Sequence, residues 1–267
     1  MPLKTQRALR PPRAINLLRE GRVAFDLLNM MGPLLRPAPV KSPLERRHIM
    51  VLPGFGADDV STWPLRRYLT KLGQTTEGWG LGRNLAGADI PATEADFPKS
   101  WNAAPIGSYH GEAGVPLLCE KAREHVLARH RALKAPITLI GWSLGGYVAR
   151  EVARDLPKIV SQVITLGSPV VGGPKYTSVA GLFRLRKMDL DWIERESKKR
   201  ESKPITVPIT AIVSPTDGVV GFEAALDRLS PDVTHVELDG AHIGLGVNPR
   251  AWAIIVQALA QQDQRVK

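Results

Sequence analysis

Apolar residues in this chain fall into short solid runs, separated by longer stretches in which they recur every three or four positions. Runs at 48–52, 137–141, 162–167 and 207–213 are mainly apolar and predict strands, the last of them buried; the more polar stretches 75–79 and 233–238 read as further strands. The spacing between them predicts helices over 61–72, 113–132, 146–156, 221–229 and 249–262. Trp63, Leu65, Tyr68, Leu69 and Leu72 mark the first of these. Such alternation predicts an α/β fold, a mostly parallel sheet with helices on both faces. A Gly/Pro/Ala-rich connection fills residues 80–111, and no internal repeat is evident.

Two segments stand outside the alternation. Arg13 to Met31 places apolar residues at Ile15, Leu18, Val23, Phe25, Leu27, Leu28 and Met31, an imperfect amphipathic helix broken by Gly21. Gly32-Pro33 with Pro37, Pro39 and Pro43 then predicts a linker, and residues 1–12 predict disorder. Residues 1–45 are thus expected to be a basic extension of a single domain at 46–267. Its helix packs on that domain, lies on a membrane interface or makes a dimer contact. The second segment, about 170–204, is too long for an ordinary connection between strands. It is expected to be a helical lid, with Leu182, Phe183, Leu185, Met188 and Trp192 walling a substrate pocket; a packed surface helix unrelated to access is the alternative.

The candidate chemistry sits where these elements meet. Gly141-Trp142-Ser143-Leu144-Gly145 follows a strand and opens a helix, the setting in which G-x-S-x-G forms a sharp turn that lifts a serine above the sheet. Side chains at 141 or 145 would collide with the neighbouring strand and helix, and the helix N-terminus favours developing negative charge. A serine nucleophile needs a base, and the base needs an orienting carboxylate. Asp217 lies in the turn after the run 207–213, and His242 lies in the loop after 233–238. Parallel strands present such loops along one edge, so Ser143, Asp217 and His242 can converge. Asp239 is the rival acid. Among histidines, His125 and His130 fall in a helical pattern, His235 in a strand, and His48 at the wrong sheet edge. His110, in a Gly-rich loop, stays a competitor. The turn Pro53-Gly54-Phe55-Gly56 follows the first strand, and the backbone N–H groups of Phe55 and Leu144 are the expected oxyanion donors.

These residues carry a resemblance to the α/β-hydrolase superfamily, within it to bacterial esterase- and lipase-like members. The similarity rests on Leu52-Pro-Gly-Phe-Gly56, Gly141-Trp-Ser-Leu-Gly-Gly146, Leu166-Gly-Ser-Pro169, Asp217-Gly-Val-Val220 and Gly240-Ala-His242. Many members have His-Gly in the first of these turns, where this chain has Pro53-Gly54; the donor is a backbone amide beyond Gly54, so Pro53 does not remove it. The resemblance implies cleavage of a carboxylic ester of a lipid-like or other apolar acyl substrate through an acyl-enzyme. Acyl transfer or thioester cleavage by the same residues, or a non-catalytic binding protein, are the alternatives.

Composition narrows the setting. At 267 residues and 43% hydrophobic, the chain can bury one sizeable core. The net charge of +10 is uneven: residues 1–50 hold ten Lys/Arg against three Asp/Glu, and 175–203 hold nine against five. The remaining scaffold is near neutral, which argues against a nucleic-acid partner and suits an anionic membrane or substrate, with plain solubility charge as the alternative. The lone cysteine, Cys119, sits in a helical pattern and reads as packing, consistent with a reducing cytoplasm. No apolar run approaches bilayer length, and the N-terminus makes a poor signal peptide. No His/Cys cluster suggests a metal. Gly78-Trp-Gly80-Leu-Gly82 lacks the following helix a dinucleotide needs, so no cofactor is expected.

Overall fold

The computed structural model describes residues 8–37, 39, 44–87 and 114–266. Six strands form one parallel sheet: β1 His48–Leu52, β2 Thr75–Gly78, β3 Ile137–Trp142, β4 Val160–Leu166, β5 Ile209–Val213 and β6 Val233–Glu237. Their order is β2-β1-β3-β4-β5-β6. Leu52 pairs with Gly141, Trp142 with Leu166, Leu166 with Ile212, and Val213 with Glu237, so the C-terminal ends of five strands share one edge. The chain runs outward from β1 to β2 and returns to β3 on the other side. That reversal opens a crevice between the loops after β1 and β3, where α/β sheets bind ligands.

Alternate residues of each strand feed opposite layers. Met50, Leu52 and Leu139 meet α5 (Gly114–Leu133) and α6 (Leu144–Asp155), through Leu118, Val126, Val148 and Val152. Ile49, Val51 and Ile140 meet α4 (Asp59–Lys71) and α9 (Pro249–Val266), through Leu65, Leu69, Trp252 and Ile255. No helix among the described residues is long and apolar enough to cross a membrane.

The helix expected over 221–229 is only a 3-10 turn, Phe222–Ala225. The Asp227 carboxylate accepts from the N–H groups of Leu229 and Ser230, while the Asp227 N–H donates to His235 Nε2. Those local bonds take the amides a helix would need. At the N-terminus, α1 (Ala14–Arg19), a 3-10 turn at Glu20–Arg22, α2 (Val23–Asn29) and α3 (Met31–Leu35) replace the single helix. Gly32 and Pro33, expected in a linker, lie inside α3, where Pro33 occupies the first turn and gives up no intrahelical donor. Leu34 and Leu44 enter the core beside Leu65 and Trp252, with Met30 packed against it, while Asn16, Glu20, Arg22 and Asp26 meet the domain through polar bonds.

Residues 170–203 form a 3-10 turn at Gly173–Tyr176, α7 (Ala180–Leu185) and α8 (Leu190–Glu201). Lys175 Nζ bridges Asp191 and Glu194 at 2.6 Å each, and Tyr176 Oη donates to Glu194 at 2.7 Å. Arg200 on α8 reaches Glu151 and Asp155 on α6, tying the excursion to the helix behind Ser143.

Candidate active site

Ser143 sits between β3 and α6 with φ 52° and ψ −124°, a left-handed conformation that strains any residue with a side chain by roughly 1–3 kcal/mol. Close packing holds it there. A Cβ on Gly141 would lie 2.3 Å from Gly146 Cα, and one on Gly145 would lie 2.4 Å from the Leu52 carbonyl oxygen. The Ser143 N–H is anchored on Leu166 O at 2.8 Å.

The hydroxyl faces an imidazole. Ser143 Oγ and His242 Nε2 are 2.9 Å apart, and His242 Nδ1 is 2.7 Å from Asp217 Oδ2. His242 and Asp217 are both 4% exposed, so this line of groups runs from the pocket into a water-poor interior. The other Asp217 oxygen accepts from Val219 and Val220 N–H, each at 2.7 Å, which fixes the carboxylate plane. Trp142 Nε1 donates to His242 O at 3.0 Å and braces the histidine loop from below.

The competing residues are engaged elsewhere. Asp239 is exposed; it bonds Thr216 and Arg22, which hold its carboxyl below the usual range. His235 is spent on the Asp227 amide, and burial lowers its pKa. His125 and His130 lie on α5, and His48 starts β1 at the opposite sheet edge. His110 lies outside the described residues.

Phe55 and Leu144 flank Ser143 and line the same cavity. The turn carrying Phe55 abuts the serine: a Cβ on Gly54 would lie 3.3 Å from Ser143 Cβ. The Phe55 N–H meets no protein acceptor among the described residues, and Leu144 opens α6, where an amide has no intrahelical partner. Asn84, without any signal in the sequence pattern, shapes this turn. Its Nδ2 donates to Pro53 O at 2.9 Å and its backbone O accepts from Gly56 at 2.7 Å.

A cavity of about 480 Å³ opens from Ser143, lined mainly by apolar side chains including Tyr147, Val179, Ile193 and Val219. Phe183 and Met188 line it as well, whereas Leu182, Leu185 and Trp192 do not. On α7, Phe183 and Val179 share the inward face. Leu182 is one residue off that face and 42% exposed, and Leu185 is two off and 83% exposed. On α8, Ile193 and Ser197 face the cavity one turn apart, and Trp192 is buried away from it. The Phe55 and Phe183 rings approach to 6.1 Å across the mouth. A larger groove, about 980 Å³, lies between residues 22–39 and the domain; Arg22, Arg36, Lys71 and Arg250 line it, and it does not reach Ser143. No cluster of metal-binding side chains occurs among the described residues.

One contributor comes from the extension. Glu20, 7% exposed, accepts from Gly218 N–H at 2.8 Å and from His242 N–H and Ile243 N–H at 2.9 Å. Asn16, one turn earlier, donates to Asp217 O at 3.3 Å. A polar pair at i, i+4 in an otherwise apolar and basic helix is the signal that could have found them.

No protein-family model matches the sequence, and no curated protein does. Solved structures do match the fold. One described among the metagenome-derived lipolytic enzymes LipS and LipT superposes with a TM-score of 0.55 at 15% identity, covering 85% of this chain and 98% of the other. A monoacylglycerol lipase from Paleococcus ferrophilus gives 0.52 at 15%, covering 80% and 94%. Mouse alpha/beta hydrolase domain-containing protein 10 gives 0.51 at 16%, covering 85% and 92%. With the parallel six-stranded sheet, the strained serine turn after β3 and these neighbours together, the chain has the α/β-hydrolase fold.

Proposed function

We propose that this protein is a serine hydrolase that cleaves carboxylic esters with an apolar acyl group. The observation that carries the reading is the buried run Asp217–His242–Ser143, with contacts of 2.7 and 2.9 Å and the serine opening onto an apolar cavity. Ser143 Oγ attacks the ester carbonyl while His242 Nε2 takes its proton. The tetrahedral oxyanion is held by the Phe55 and Leu144 amides. Collapse breaks the ester C–O bond, and His242 delivers the proton to the leaving alkoxide. Water then attacks the acyl-serine by the same route, releasing the acid and restoring Ser143. Asp217 keeps Nδ1 protonated, so that Nε2 faces the serine as an acceptor, and stabilises the imidazolium that forms.

The cavity volume of about 480 Å³ lies in the range of roughly 300–1,000 Å³ usual for small-molecule sites, and its apolar lining suits an acyl chain. Residues 170–203 roof it through Phe183, Met188 and Ile193, a lid that excludes water from the developing charge. Lipolytic enzymes among the structural neighbours favour the same substrate class. The scheme uses protein groups alone. Hydrolysis of p-nitrophenyl esters of graded acyl length tests it: the wild type should turn over several lengths with one optimum, and Ser143→Ala should be folded and inactive. Retained turnover in that variant defeats the proposal.

A further inference from the structure

The N-terminal segment, α1 to α3 with the 3-10 turn between them, turns its polar side inward. Its polar side faces the domain: Glu20 binds three loop amides, Asn16 reaches the Asp217 carbonyl, Arg22 pairs with Asp239, and Asp26 accepts from Asn248 Nδ2 at 2.9 Å. Its apolar side faces solvent. Leu18 is 78% exposed, Phe25 68%, Leu28 72% and Leu35 74%. Of the fifteen exposed large hydrophobics among the described residues, eight lie between Ile15 and Leu35, far denser than the isolated exposures normal for a folded surface.

We propose that this outward face of residues 14–36 docks the protein on an anionic lipid surface. Charge selects that occupant. Both acids of the segment, Glu20 and Asp26, turn onto the domain, while Arg10, Arg13, Arg19 and Arg36 are exposed along the clefts that border the segment. A cationic, leucine-rich face complements an anionic headgroup layer over acyl chains. A second copy of the same face would bring like charges together. Position adds to the argument. Ile243, whose N–H is held by Glu20, is 48% exposed and lines the cavity that contains Ser143. The segment that carries the docking face therefore adjoins one wall of the cavity on its inward side, so docking would bring a lipid-borne substrate close to Ser143.

Docking does not depend on hydrolysis, so it is measured on the full chain carrying Ser143→Ala. Co-sedimentation is compared with vesicles of phosphatidylcholine alone and vesicles also containing phosphatidylglycerol. A second protein adds Leu18→Gln, Phe25→Gln and Leu28→Gln, which are solvent-facing and helix-compatible. The parent should bind the anionic vesicles, release as salt rises, and bind phosphatidylcholine weakly. The triple variant should bind anionic vesicles about ten-fold or more weakly. In the active background its thermal unfolding and its turnover of a short soluble ester should match the wild type. Equal binding by parent and variant, no binding by the parent, or equal binding to both vesicle types overturns the proposal. So does a dimer, seen by light scattering, that the triple substitution dissociates while vesicle binding is absent.

Discussion

Removing the Glu20 carboxylate should loosen the loops that carry Asp217 and His242 without touching either side chain. Glu20→Ala strips the acceptor from three N–H groups, at 2.8, 2.9 and 2.9 Å, in a place only 7% exposed. Water can enter the space vacated, so each orphaned amide should cost near the low end of the usual range, about 1 kcal/mol, or about 3 kcal/mol together. For a domain of this size that is a fall in Tm on the order of 10 °C. The functional effect should be larger than the stability loss suggests. The His242 N–H is one of the three, and an imidazole displaced by about 1 Å from its productive position costs on the order of 100-fold. Assayed well below Tm, Glu20→Ala should lose about 10- to 100-fold in kcat with KM changed little. Glu20→Gln should be intermediate. One oxygen serves Gly218 and His242 and the other serves Ile243, so an amide keeps some bonds and turns N–H against N–H at the rest. A Glu20→Ala protein with unchanged Tm and kcat/KM within two-fold of wild type would refute the reasoning.

Three further substitutions probe the site and the scaffold around it. Asp217→Asn should leave the fold intact and cut kcat by about 10³–10⁴: Val219 and Val220 hold one oxygen, so the amide NH₂ faces Nδ1 and imposes the wrong tautomer. A loss under ten-fold counts against the tautomer argument. Gly141→Ala places a Cβ 2.3 Å from the Gly146 backbone and should lower stability by about 3 kcal/mol, read as denaturant midpoint; a midpoint unchanged from wild type contradicts the close approach. Burial pushes the Glu201 carboxyl up to about 7 from 4.5, so folding takes up a proton between those values and stability falls as pH rises through that window. Glu201 is only partly buried, which trims the effect to about 1–2 kcal/mol. Glu201→Gln should flatten the melting temperature between pH 5 and 8, and an equal slope in both proteins rejects the assignment.

The four inner strands were legible because burial on both faces leaves apolar runs, and Ser143 and Asp217 because each follows one such run. β2 and β6, at the sheet edges, are half-exposed and more polar, and His242 was placed by the loop after the last of them. What escaped reading did so for physical reasons. Leu18, Phe25 and Leu28 look like an inward stripe, since burial usually decides which face of a helix turns in. Here three loop amides needing an acceptor draw Glu20 inward and leave the stripe outside. The helical pattern at 221–229 is overridden by the Asp227 carboxylate, a bond that depends on a single side chain. Choosing Phe183 over Leu182 and Leu185 requires the rotation of a six-residue helix, which apolar content does not specify.

Labelling with a fluorophosphonate, followed by peptide mapping, tests the central claim most directly, because only a serine activated by its neighbours reacts with such a probe. The account predicts one adduct, on Ser143, abolished by His242→Ala in a protein that still folds. A folded wild type that takes no label, or takes it on another residue, contradicts it.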